Sequence, residues 1–183
     1  MSNSQATLIE RLARILHNDA HTGGLKPTQW EALRYLARAN RFSRSPGALT
    51  VYLGMTKGTV SQTLQALERK GCIKKTAAKD DRRGLIVKIT KKGESLLADD
   101  PLIDLNATIA ALPKDTKGEL TASLESLLKA ILANRGGKTF GACKTCRYFR
   151  RTHKNGAPHF CSLLMEPLSG DDSERICIEQ EAA

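Results

Sequence analysis

The apolar positions along the first seventy residues recur at helical spacing, in blocks separated by turn signals. Leu8, Leu12, Ile15 and Leu16 predict a short amphipathic helix over Thr7–Leu16. After Gly23-Gly24, Thr28-Gln29-Trp30-Glu31 reads as a capping box behind Pro27, opening a helix that turns Leu33 and Leu36 inward. Ser45-Pro46 is a second start signal, Ser as N-cap and Pro at the first helical position, where its missing N–H costs nothing. That helix runs to about Leu53 and stops at Gly54. Thr56 caps a fourth helix through Lys70, with Val60, Leu64 and Leu67 on its buried side and Gly71 at its end.

The period then changes. Cys72–Thr76 and Leu85–Thr90 read as two strands around a polar hairpin loop, Ala77–Gly84. Helix resumes near Lys91 and should break at Asp99-Asp100-Pro101, because proline removes a donor and clashes with the preceding turn. A last helix, roughly Lys114–Ala133, carries Leu120, Leu124, Leu127, Leu128, Ile131 and Leu132. A stripe so wide and so aliphatic calls for a covering surface, in a partner chain or elsewhere in the same chain. Arg135-Gly136-Gly137-Lys138 reads as a linker to a cysteine-rich tail.

The fold class expected is mainly α with a small β-hairpin (α+β): a winged helix-turn-helix, a helical dimerisation region and a small Cys-rich C-terminal module. Residues 1–134 form the winged-helix and dimerisation domain, with the helix-turn-helix at about 45–71 and the wing at about 72–90. The dimerisation helices fall at about 5–17 and 91–134, and residues 135–183 are linker and tail.

Charge sharpens this picture. The 183-residue chain carries a net charge of +10, and between Lys26 and Lys92 it has 16 Lys/Arg against 4 Asp/Glu, a balance of +12. The whole excess lies in this one third of the chain, which includes the helix-turn-helix and hairpin, the distribution that suits a polyanion partner. Thr56, Lys57, Thr59, Ser61 and Gln62 lie at the cap and in the first turns of the helix that Thr56 opens, where a recognition helix meets base edges. Arg82 and Arg83 stand at the hairpin tip, suited to the negative potential of a minor groove, with Lys79 in the same loop. The rest of the composition, 40% hydrophobic and 26% charged, is that of an ordinary globular chain. No apolar run approaches the ~20 residues of a membrane span, and the N-terminus lacks the pattern of a secretory signal, so a cytoplasmic protein is expected.

The run ALTVYLGMTKGTVSQTLQALERKG at 48–71, followed by Asp81-Arg82-Arg83 and Ile89-Thr90-Lys91-Lys92-Gly93, resembles the MarR family of bacterial transcriptional regulators. The resemblance covers about residues 5–134. It implies a homodimer paired through the first and last two helices, binding a near-palindromic operator and usually repressing. Two departures stand out: the family's common second Asp-x-Arg in the wing is replaced by Ala78-Lys79-Asp80, and Pro101 interrupts a helix that is usually continuous.

The tail carries separate chemistry. Cys143-Lys144-Thr145-Cys146 is a two-residue-spaced pair; Cys161 follows after 14 residues and Cys177 after a further 15. Four thiolates close a tetrahedral zinc site or hold an iron–sulfur cluster. Ligands arriving singly from distant points place the iron–sulfur cluster first, with zinc as the alternative. His153 and His159 are substitute ligands, secondary to a complete set of four cysteines. A segment whose apolar content is little more than Tyr148, Phe149, Phe160, Leu163 and Leu164 needs such a staple to stay folded. A cluster would act on DNA binding through the junction Ala133-Asn134-Arg135, by shifting the dimerisation helix and the spacing of the recognition helices. A structural zinc with a small-molecule effector is the alternative. No enzyme is expected: Cys143-x-x-Cys146 has the spacing of a thiol–disulfide oxidoreductase but lacks a βαβ context, and a protein-binding adaptor would not need the basic field. Cys72 reads as a small buried hydrophobe.

Overall fold

Ser4, Ser45, Thr56 and Thr90 each turn a side-chain oxygen onto the backbone N–H three residues ahead, at 3.1–3.2 Å, and each starts a helix. These helices are α1 (Gln5–Asp19), α3 (Pro46–Leu53), α4 (Lys57–Arg69) and α5 (Lys91–Ala98). The computed structural model describes residues 4–77, 84–151 and 156–183. Helix α2 (Pro27–Arg38) starts differently from the expected box at Thr28. Pro27 takes the first helical position, its φ already helical, and the Gln29 Oε1 accepts from the Lys26 N–H at 3.2 Å. The cap therefore falls two residues earlier than the sequence pattern placed it.

Helices α2, α3 and α4 bury one face each around Trp30, Leu33, Tyr35, Leu36, Leu49, Val60, Leu64 and Leu67. Between α3 and α4 the chain turns at Gly54, whose φ of 62° is left-handed and favours glycine. Strands β1 (Ile73–Ala77) and β2 (Leu85–Ile89) pair antiparallel, Ile73 opposite Ile89, and seal the core with Ile73 and Val87. The first turn of α5 lies so close to the start of β1 that a Cβ on Gly93 would sit 2.3 Å from the Cys72 carbonyl oxygen. Cys72 is fully buried, as its neighbours in the sequence imply.

Helix α5 ends at Asp99, and α6 (Leu102–Ala110) begins after Pro101, so the break falls where the proline demands it. Asp100 at this break accepts two N–H bonds from Arg34 of α2, both at 2.7 Å, and a third from the Leu102 N–H. Helix α7 (Lys114–Asn134) completes the first part of the chain. Helices α1, α6 and α7 bury no residue. Leu12 is 55% exposed and Leu128 54%, so the apolar faces of α1 and α7 are uncovered by this chain. Among the described residues no helix is long and apolar enough to cross a membrane.

After α7 the chain returns to the first domain. Phe140 packs edge-on against both rings of the Tyr35–Tyr52 pair, and Ile176 joins the same core. The tail adds a 3-10 turn at Cys143–Thr145, a three-stranded antiparallel sheet of β3 (Phe149–Arg150), β4 (His159–Cys161) and β5 (Glu166–Leu168), and α8 (Gly170–Glu174).

The Arg34–Asp100 pair makes a measurable prediction. Burial pushes the Asp100 carboxyl up, but the N–H donors of Arg34 and Leu102 outweigh it and hold the group below the usual carboxylate range. A folded-state pKa below the unfolded one means the contribution is complete above about pH 4 and is lost as the pH falls through the folded-state value. Asp100→Asn should therefore lower stability by about 1–2 kcal/mol near neutral pH. In denaturant titrations the gap from the parent should close in acid; a gap independent of pH would rule out the ionised pair.

Candidate nucleic-acid interface and cysteine cluster

Helix α4 is buried through Val60, Leu64 and Leu67, and that geometry fixes what it shows to solvent. Thr56, Lys57, Thr59, Ser61 and Gln62 are all exposed. All but Thr56 open onto two grooves flanking the helix. Lys57 and Ser61 line one of about 470 Å³ with Thr50 of α3 and with Lys75 and Leu85 of the hairpin. Thr59 and Gln62 line another of about 380 Å³ with Lys26, Thr28 and Arg69. Two of the five side chains are partly engaged: the Thr56 and Thr59 hydroxyls lie 2.9 Å apart, and Thr56 also accepts the Thr59 N–H. Lys75 is paired with Glu68 at 2.8 Å, and its hydrogen bond holds that carboxyl below its ordinary range. Lys79, Arg82 and Arg83 lie outside the described residues, as does His153.

The four tail cysteines come from four places. Cys143 opens the 3-10 turn and Cys146 closes it, Cys161 ends β4, and Cys177 follows α8. They line one narrow cavity of about 10 Å³, walled by Phe149, Leu168 and Leu163. Cys143 and Cys177 are buried, Cys146 and Cys161 half-buried, and all four are free thiols. Among the described residues no three or more ligating side chains already stand as a metal cage; what the fold provides is four thiols converging on one void. His159 does not line it, its ring lying beside Phe149 with Nδ1 3.0 Å from the Arg151 carbonyl oxygen.

Hydrogen bonds polarise two of the sulfurs. The Cys143 thiol donates to Cys177, which with donors from Asn40, the Glu179 backbone and Ser43 draws the Cys177 thiol down from its ordinary range. The same donated proton, together with burial, pushes Cys143 up. The Cys143–Cys146 spacing sits on a 3-10 turn among short antiparallel strands, away from any βαβ unit.

The sequence did not single out the residues that seat this cluster against the helix-turn-helix. Asn40, fully buried at the end of α2, donates through Nδ2 to Cys143 Sγ at 3.1 Å. Its Oδ1 accepts from the Phe42 and Ser43 N–H groups at 3.1 and 3.0 Å. Ser43 Oγ accepts from the Ile178 N–H at 2.9 Å, and Ile176 bridges the backbone beside Ala39. Arg41 reaches Asp172 at 3.1 Å and the Pro167 carbonyl, and Arg175 donates to the Ala37 carbonyl. Loop residues such as Asn40 and Ser43 carry no local signal of this role, because their partners lie more than a hundred residues away.

Residues 23–84 match the model of the MarR family. Among solved structures, a MarR transcriptional regulator from Methanosarcina mazei Go1 is 24% identical with a TM-score of 0.60, over 70% of this chain and 96% of that one. S. aureus MepR in its DNA-binding conformation is 20% identical with a TM-score of 0.62, over 70% of this chain and 98% of that one. The S. aureus MepR–DNA complex is 19% identical with a TM-score of 0.58, over 70% and 99%. At these identities the likeness establishes the fold, the winged helix of MarR regulators. No curated protein matches the chain.

Phe140 is the apolar anchor of the tail, 6% exposed and held at a left-handed φ of 54°. Phe140→Ala should cost about 3 kcal/mol and open the linker 135–142 to proteolysis. Undiminished protease resistance in that variant would show that the polar contacts of Asn40, Arg41 and Arg175 hold the tail alone.

Proposed function

We propose that this chain is a sequence-specific DNA-binding transcriptional regulator of the MarR family, acting as a homodimer on a near-palindromic operator and usually, as that family does, as a repressor. The observation that carries the reading is α4 itself: its first turns expose Lys57, Ser61 and Gln62 between two grooves, within the segment that holds the chain's +12 excess of charge. The family match over residues 23–84 spans this same helix-turn-helix. The uncovered apolar faces of α1 and α7 supply the surface for dimerisation. A two-fold pair sets its recognition helices about 34 Å apart, one turn of DNA. Thr56, Lys57, Thr59, Ser61 and Gln62, with Lys79, Arg82 and Arg83 of the wing, are the proposed DNA contacts.

Binding to an inverted repeat should exceed binding to random duplex by about a thousandfold or more and weaken steeply with salt. Lys57→Ala should weaken every duplex alike and lower the salt slope by about one. Gln62→Ala should instead relax discrimination at one base position by about 1–3 kcal/mol. Equal affinity for repeat and random duplex in a band-shift titration would remove the specific-regulator reading.

Cys143, Cys146, Cys161 and Cys177 are the proposed ligands of a metal centre that tunes this activity. The donor set fits: four free thiols around one void, one already drawn toward the thiolate that metals bind. A void of about 10 Å³ suits a single tetrahedral ion with fewer changes than a cluster, so zinc gains on the iron–sulfur cluster that the ligand spacing favours. Such a centre supplies tetrahedral cross-linking of the four segments, and if it holds iron, sensitivity to oxidation as well. Anaerobic purification with iron, sulfide, zinc and visible absorption measured per protomer decides between them. Matched iron and sulfide in a brown protein selects the cluster, one zinc in a colourless protein selects the single ion, and neither metal sinks the metal centre.

A second reading of the signal rests on a cavity of about 830 Å³ between α1 and the α5–α6 junction, lined by Leu12, Ile15, Asp19, Pro101, Leu105 and Thr108. Its size suits a small-molecule effector.

A further inference from the structure

We infer that Asn40 relays the state of the four-cysteine site to the DNA-binding elements of the same protomer, by way of the loop between α2 and α3. The inference rests on the metal centre proposed above and names a route different from the end of α7. Asn40 is fully buried, and its amide joins the cysteine cluster to the loop, beside the Ser43 side chain, which also reaches Cys177. On one side Nδ2 donates to Cys143 Sγ at 3.1 Å. On the other, Oδ1 accepts the N–H groups of Phe42 and Ser43, which fold the loop.

The loop in turn holds α2, strand β2 of the wing and the start of α3. Ser43 accepts the Tyr35 hydroxyl of α2 on its carbonyl at 2.6 Å and the Ile178 N–H on its Oγ at 2.9 Å. The Arg44 carbonyl accepts the Val87 N–H of the wing at 2.8 Å. Ser45 caps α3, the first helix of the helix-turn-helix. From sulfur to amide, loop, cap and wing, the steps are hydrogen bonds of 2.8–3.1 Å or consecutive residues of one chain.

A metal ion fixes where Cys143 Sγ stands, because four ligands at fixed bond lengths leave it no freedom. Without the ion the sulfur is placed only by its own torsion and its neighbours, so the Asn40 amide loses a fixed partner in a buried setting where unpaired polar groups are costly. Loading should therefore order the loop 40–45 and favour the arrangement of α3 and the wing that grips DNA. By contrast, the junction after α7 passes through Gly136 and Gly137 to an exposed Lys138, a poor lever for transmitting a rotation.

Asn40 is a positioning residue here, and its test separates coupling from folding. The full-length chain is compared metal-free and loaded anaerobically with iron and sulfide or with zinc, on a duplex that the parent selects from a randomised library. The parent should bind about tenfold tighter when loaded, and amide exchange at residues 41–45 and at Val87 should slow on loading. Asn40→Ala should keep its metal content while the loaded-to-free ratio falls to within about twofold of one. A short Gly-Ser insertion after Gly137, which loosens the α7 route alone, should leave the ratio intact. Full coupling in Asn40→Ala, loss of coupling on the insertion, no coupling in the parent, or unchanged exchange in the loop while the parent couples would each overturn the relay. The exchange measurement needs no variant, so it decides even where Asn40→Ala does not fold. A parent that takes up no metal ends the metal centre as well, and it shows in the metal counts before DNA is added.

Discussion

Trp30, Leu33, Tyr35 and Leu36 give α2 one fully buried face, and among the described residues no other helix buries as many side chains. At about 1.5–3 kcal/mol for each large side chain removed from water, that face is the largest source of cohesion in the winged-helix lobe. Its neighbours depend on it in different ways. Helices α3 and α4 take their orientation from packing on it, and α5 and β2 close over its far side. Arg34, on its exposed flank, fixes the break between α5 and α6, and Trp30 reaches back through its indole N–H to the Thr22 carbonyl. The C-terminal end of the same helix, at Ala39 and Asn40, receives the tail.

That last contact changes how the two halves of the molecule relate. A cysteine-rich appendage joined by a glycine linker reads as an independent module. In the fold it lends Phe140 and Ile176 to the main core and lays its thiols against the loop that begins the helix-turn-helix. Hydrogen bonds from Asn40 and Ser43 run directly between the thiol cluster and the loop that leads into α3, so the sulfurs and that loop share one buried network. Helices α1, α6 and α7 have the opposite character. They bury nothing in this chain, and their exposed leucines and isoleucines leave a surface that a lone protomer does not satisfy.

Most of the helical frame was legible in the sequence. Ser45-Pro46, the Gly54 turn, Thr56, the alternation of 72–76 and 85–90, and the proline break at 101 each act within one turn of chain, so their consequences do not wait on the rest of the fold. The buried set Val60, Leu64 and Leu67 followed from helical periodicity, and it left Lys57, Ser61 and Gln62 outward by geometry alone. Only the start of α2 differed, where Pro27 and the Gln29 side chain took the cap from Thr28.

What the residue order did not disclose is whatever depends on distant partners. Asn40 and Cys143 are 103 positions apart, and Arg34 and Asp100 are 66; neither pair leaves a periodic or capping signature. Four cysteines at irregular spacing announced a shared chemistry, but the convergence of Cys143, Cys146, Cys161 and Cys177 on one small void, seated on the loop after α2, came from the return of the tail onto the first domain. Local propensities are set by backbone and side-chain geometry within a few residues. The meeting of thiols, amide and recognition lobe is set by which surfaces bury one another once those local pieces exist, and that is decided only in three dimensions.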